Sequence, residues 1–247
     1  MTRRRWIADE FDAGRNRAVL TGEHAVHLSR VLRAKVGQEF EIALPGEHPV
    51  RLGRIVAINN SRVEFELGQP VSAILEPALE ITLLLAIFKF DRMEWAIEKA
   101  TELGVSRIVP VIARRTEKHL LAAASKRQQR WQRLALQASE QSRRQSEPDI
   151  TLPMPLKKAI ESATGLRIVL SETERDQPLQ RLLAADPVSA VTLAIGPEGG
   201  WTEEELALFA QHEWQAATLG KSILRAETAA IAALAIVISS LQLSAAR

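Results

Sequence analysis

The chain has 247 residues, 46% of them hydrophobic, no cysteine, and 32 basic against 30 acidic side chains for a net charge of +2. This is enough apolar material for one large domain or two smaller ones, and the missing cysteine excludes disulfides, thiolate nucleophiles and zinc–thiolate sites. Of the basic residues 24 are Arg, and between residues 107 and 144 ten Lys or Arg face only two acids, a concentration that suits a nucleic-acid surface and a solvated helix face equally well.

The N-terminal MTRRRWIADEF has basic residues with no apolar stretch behind them, so no signal peptide is expected and a cytoplasmic location is. Over residues 1–70 the segments RRRWIADEF, EFEIALPG, HPVRLGRIVAINN and RVEFELGQ place apolar residues on alternate positions between Gly, Pro and Asn. They predict the strands of a small β-rich unit. One helix is expected among them, in GEHAVHLSRVLRAKVGQ, with Val26, Leu28, Val31 and Leu32 on one face and Gly37 as its stop. His24 and His27 lack acidic or His partners at metal-ligand spacing and are expected to be structural, so no metal is assigned. QPVSAILEPALE, with two prolines, predicts a linker at residues 71–78.

From Leu79 long apolar strands alternate with helices. ITLLLAIF, VSRIVPVIA, LRIVLSE, VTLAIGPE and WQAATLG predict strands, while DRMEWAIEKATELG, the basic RQQRWQRLALQASEQSRR and TEEELALFAQH predict helices. The last segment, TAAIAALAIVISSLQLSAA from Thr228, contains Ser and Thr and falls short of the roughly 20 residues a bilayer requires, so a buried helix is expected and no membrane association. Such alternation over residues 79–247 implies an α/β domain with a mostly parallel sheet covered on both faces. Ligands of these sheets bind beyond the carboxyl ends of the strands.

Three loops occupy that position: Ser171-Glu172 after Leu170, then Gly196-Pro197-Glu198-Gly199-Gly200 after Ile195, and LGKSILRAET from Leu219 to Thr228. A glycine loop between strand and helix usually takes a phosphate. Glu198 beside it and the absence of GK[ST] argue instead for a neutral or cationic ligand with hydroxyls or an adenine edge. Taken singly, Gly220 suits a turn and Glu227 and Thr228 suit helix capping as well as they suit a ligand.

IGPEGGWTEEEL followed by LGKSILRAETAAIAAL resembles the cofactor half of the 16S rRNA (uracil-1498-N3)-methyltransferases, a family of the SPOUT class. HLSRVLRAKVGQEF is similar to that family's N-terminal PUA-like RNA-binding barrel. KFDRMEWAIEKATELGVSRIVPVIARRT is similar to the start of its methyltransferase domain, and ASEQSRRQSEP to its EQ-x-x-R-x-x-x-P signature. The resemblance implies a PUA-like unit at 1–70, a trefoil-knotted α/β domain at 79–247, a homodimer, and methylation of a uridine N3 in 16S rRNA of the small ribosomal subunit. It implies S-adenosyl-L-methionine held by Leu170, Ser171, Glu172, Ile195, Gly196, Pro197, Glu198, Gly200, Leu219, Gly220, Ile223, Leu224, Arg225, Glu227, Thr228 and Ala229. Arg144 aligns with the signature arginine and is the candidate catalytic group. Arg3, Arg4, Arg5, Arg30, Arg33, Lys89, Arg92, Arg114, Arg115 and Arg143 are the candidate RNA contacts. The family usually has glycine where this chain has Arg143, which leaves open whether that residue touches RNA or replaces a turn residue. An inactive RNA-binding assembly factor, and a methyltransferase for another base or a ribose, are the alternatives.

Overall fold

The computed structural model describes residues 4–46, 48–71, 79–184 and 188–245, with side chains as far as Leu241. Arg3 and all of the expected linker except Val71 lie outside the described residues. The chain divides into two units, Met1–Glu76 with Ser139–Ser146, and Pro77–Ala138 with Glu147–Arg247.

The first unit is built on β1 (Trp6–Ile7), β2 (Glu10–Asp12), β3 (Arg17–Thr21), β4 (Glu39–Ala43), β5 (Arg51–Ile58) and β6 (Arg62–Pro70), in the sheet order β1-β4-β5-β6-β3-β2. All neighbours are antiparallel except β1 and β4. Alternation decides which side is buried: Ile55 on β5 and Val63, Phe65 and Leu67 on β6 point into a core with Trp6, Leu20, Leu28 and Ile42. Gly53 is needed in β5, because a Cβ there would sit 2.6 Å from Ile42 and 3.2 Å from Phe65. At the β5–β6 turn the Asn59 side-chain oxygen accepts from the backbone N–H groups of Ser61 and Arg62.

Two expectations need correction here. RAVLT was not anticipated as a strand and forms β3. The expected helix is also shorter: α1 (Gly22–Val26) runs into a π-helical turn, His27–Val31, closed by Leu32 N–H donating to the His27 carbonyl. Arg33 then enters the left-handed region at φ 50° and ends the helix well before Gly37. Val31 and Leu32, at and after the break, are 65% and 41% exposed, and Val26, on the opposite side of the helix from Leu28, is 39% exposed, while Leu28 faces the core.

The second unit contains β7 (Glu80–Ala86), α2 (Phe90–Glu102), β8 (Arg107–Ile112), α3 (Lys118–Gln141), β9 (Asp149–Ile150), β10 (Met154–Pro155), α4 (Leu156–Glu161), β11 (Leu166–Leu170), α5 (Leu179–Leu183), β12 (Ala190–Ile195), α6 (Glu203–Gln211), β13 (Gln215–Ala217) and α7 (Ala226–Ala245). Its sheet is parallel throughout, in the order β10-β8-β7-β12-β11-β13 with β9 also on β8. Leu83 and Leu85 of β7 join the core under α2, α3, α5 and α7, while Leu84 and Ala86 join the core under α4 and α6. Successive strand residues point to opposite faces, so the continuous apolar run is explained by burial on both. The basic helix α3 begins about two turns before the expected segment and its last residues, from Ser139, cluster with the first unit.

Candidate cofactor site and arginine turn

β12, β11 and β13 are consecutive neighbours in the sheet, so the loops leaving their carboxyl ends converge. They line a cavity of about 810 Å³, within the range of roughly 300–1,000 Å³ usual for small-molecule sites. Every residue assigned to the cofactor from sequence lines it except Glu227 and Thr228. These two depart because α7 starts at Ala226: helical rotation brings Arg225, Ala226 and Ala229 to the cavity, leaves Thr228 exposed and buries Glu227 to 5% exposure. Thr173, Glu174 and Arg175, which directly follow the anticipated Ser171-Glu172, line it as well.

The loop after β12 is held from below. Trp201 is 7% exposed, its indole N–H donates to the Leu170 carbonyl at 3.2 Å, and it packs edge-on against Phe209 at 5.0 Å. The same indole lies 3.2 Å from where a Cβ on Gly196 would be. Gly200 has φ +70°, and its absent Cβ would meet Glu172 Oε1 at 2.7 Å. Helix α6 starts immediately after with a capping box in which Thr202 and Glu205 satisfy each other's backbone N–H groups. Trp201 thus supports the loop from below, and Trp6, in the other unit, is 1% exposed.

The cavity carries charges of both signs. Glu172, Glu174 and Glu198 line it together with Arg175, Lys221 and Arg225. Arg92, expected on an RNA surface, lines it too: its Nη1 donates to Glu198 at 2.9 Å and its Nε stands 3.8 Å from Glu227 Oε1. Glu227 Oε2 is buried and has no hydrogen-bond partner among the described residues. Sequence spacing had no means to bring Arg92 to residues more than a hundred positions away. The glycine cradle and the carboxylates among the lining charges fit a ligand carrying positive charge and hydroxyls.

A second constellation belongs to the first unit. Glu140 is fully buried, and its carboxylate accepts from Arg4, from the Ile7 backbone N–H at 3.4 Å and pairs with His24 Nε2 at 3.2 Å. Arg5, 2% exposed, pairs with Glu41 at 3.3 Å, and donates to the Arg143 carbonyl; its backbone N–H donates to the Glu140 carbonyl at 3.1 Å. Burial alone would lower the His24 pKa, but the hydrogen bonds to Asp9 and Glu140 outweigh it and raise the value to about 9. His24 is thus held between two carboxylates; no group of three or more His, Cys, Asp or Glu suited to a metal occurs among the described residues. Arg4 and Arg5 are engaged here. Arg115 is engaged with the Gly199 and Trp201 carbonyls at 2.5 and 3.3 Å. Arg30, Arg33, Lys89 and Arg114 are exposed.

The turn after α3 explains Arg143. It has φ 64°, and the turn is closed by Arg143 N–H on the Glu140 carbonyl and Arg144 N–H on the Ser139 carbonyl. This is a left-handed helix terminus of the kind glycine prefers. The Arg143 side chain recovers an ion pair with Glu41. Replacing it by Gly and by Ala removes that pair alike, but only Ala keeps the backbone strain. Arg143→Gly is expected to be about 1 kcal/mol more stable than Arg143→Ala in urea denaturation; equal midpoints would contradict this.

A family profile described as an RNA methyltransferase domain matches residues 75–238. The chain belongs to the RNA methyltransferase family. Among its relatives in that family, a Synechocystis protein named ribosomal RNA small subunit methyltransferase E is 34% identical over 220 residues, covering 87% of this chain and 71% of that one. A Rickettsia conorii protein of the same name is 32% identical over 222 residues, with 87% of each chain covered. The crystal structure of the Neisseria gonorrhoeae ribosomal RNA small subunit methyltransferase E bound to S-adenosyl methionine superposes with a TM-score of 0.82 at 31% identity, covering 94% of this methyltransferase-family chain and 95% of the other.

Proposed function

We propose that this chain is an S-adenosylmethionine-dependent enzyme that methylates N3 of a uridine in 16S ribosomal RNA of the small subunit. The observation that carries the reading is the cavity formed by the three strand-end loops, with Gly200 held against Glu172 and with carboxylates and cations mixed along its lining. The names and the bound S-adenosyl methionine of the family relatives support it. In the same reading the first unit, six strands with exposed Arg30 and Arg33, is a PUA-like RNA-binding domain. The order in which β13 returns beside β11 before α7 packs on α2 and α5 suits a trefoil knot. The active form is a homodimer, and the protein acts in the cytoplasm; no described helix is long and apolar enough to cross a membrane.

The cofactor, when bound, supplies an electrophilic methyl group on a sulfonium. The uracil N3 carries a proton and is a poor nucleophile until that proton leaves. A guanidinium near O2 and O4 stabilises the negative charge that then develops, and Arg144, on the turn after α3, is the candidate for that role. Arg144→Ala is expected to lower the single-turnover rate at saturating RNA by about a hundredfold. An unchanged rate with weaker RNA binding would make Arg144 a phosphate contact.

The activity itself is tested with labelled S-adenosylmethionine and small subunits from cells lacking the gene, the label being mapped by nuclease digestion and mass spectrometry. One 3-methyluridine in 16S RNA is expected. Label on another base or on a ribose would favour a different substrate, and no label despite cofactor binding would favour an inactive assembly factor.

A further inference from the structure

The Arg92, Glu198 and Glu227 group is not explained by adenine or ribose recognition. Glu198 comes from the loop after β12, Glu227 from the start of α7 and Arg92 from the first turns of α2, so three separate elements converge on one guanidinium. Two carboxylates around one arginine leave a net charge of −1. Only one donor of the fork is at hydrogen-bonding distance from Glu198, and Nε, 3.8 Å from Glu227, is beyond such a distance. The guanidinium has five N–H donors in a planar array suited to a second carboxylate. Glu198, about one-third exposed, lines the cavity beside it. The cavity's other cations, Arg175, Lys221 and Arg225, lie on the segments after β11 and β13.

We infer that Arg92 and Glu198 anchor the amino-acid end of the cofactor, the guanidinium taking its α-carboxylate and the Glu198 carboxylate its α-ammonium. This rests on the S-adenosylmethionine reading above. An amino acid is a zwitterion with adjacent opposite charges, and an Arg–Glu pair presents the complementary charges at matching separation. Arg92 is a cofactor-binding residue in this account and not an RNA contact.

Calorimetry with S-adenosylmethionine and its decarboxylated analogue separates this role from a general effect on the fold, because the two ligands differ only in the carboxylate. The wild-type protein is expected to bind S-adenosylmethionine at least about tenfold more tightly, the scale of one charge-assisted hydrogen-bond pair. Arg92→Leu is expected to bring the two affinities within about twofold by weakening the carboxylate-bearing ligand alone. Glu198→Gln is expected to weaken both ligands alike and keep their ratio, since both retain the ammonium. An unchanged ratio in Arg92→Leu, or equal loss of both ligands in it, would overturn the inference, as would equal affinities in the wild type. Failure of the wild type to bind either ligand would overturn the cofactor reading itself, and the anchor with it.

Discussion

Gly200→Val is expected to reduce S-adenosylmethionine affinity by more than about a hundredfold while leaving the six-stranded unit folded. Two effects act at the same atom. At φ +70° any L side chain is strained, and a β-branched one more than most; the backbone term alone is about 1–2 kcal/mol. The new Cβ would also lie 2.7 Å from Glu172 Oε1, an impossible contact. The carboxylate can swing away, but Glu172 lines the cavity, so relief of the clash either moves charge within the binding volume or shifts the loop. The Gly200 N–H donates to the Pro197 carbonyl at 2.8 Å, which ties any backbone shift to the residues between them, Glu198 among them. Gly200→Ala should show the same loss in weaker form. Calorimetry is the measurement, and an unchanged affinity in Gly200→Val would sink the placement of the cofactor.

The loops that make this site were legible because each follows an apolar strand run directly, and parallel sheets put strand carboxyl ends on one edge. What one-dimensional spacing missed depends on contacts between distant segments. Arg92 looked like any cation on an amphipathic helix, and its two carboxylate partners are visible only once β12 and α7 are in place. Arg4 and Arg5 belong to a run of three arginines that suits a phosphate surface, yet burial of Arg5 and the carboxylates of Glu41 and Glu140 give them internal partners. The helix over residues 22–37 failed for a local reason: Leu28, Val31 and Leu32 are spaced for one helical face, but the π-helical turn changed the angular step and left Val31 and Leu32 to solvent, while Val26, two residues before Leu28, already faced the other way. Arg143 is the reverse case. The departure from glycine that sequence could only note becomes a left-handed residue with its own ion pair.

Glu140→Ala is expected to destabilise the six-stranded unit by about 3–5 kcal/mol, the range for removing one partner from a buried charge pair. Glu140 is 0% exposed and its carboxylate meets Arg4, His24 and the Ile7 N–H, none of which gains another acceptor when it is truncated to a methyl group. The pH dependence identifies the mechanism. His24 has a folded-state value of about 9 against an unfolded value near 6.5. A raised value means that its stabilisation is complete below pH 6.5, declines between 6.5 and 9, and is absent above, a total of about 3 kcal/mol. Asp9, whose pKa stays lowered despite the opposing effect of burial, through its hydrogen bonds to His24 and Thr21, acts in acid. His27, lowered first by burial and then by Arg4, acts below 6.5. Neither contributes in the window. Urea denaturation followed by hydrogen exchange of β1 to β6 should therefore show wild-type stability falling as pH rises from 6.5 to 9. In Glu140→Ala the fall should be shallower, because Asp9, 3.8 Å from the imidazole, is the remaining anion. A full-sized fall in the variant would assign the raised His24 value to Asp9 and leave Glu140 as a partner of Arg4 alone.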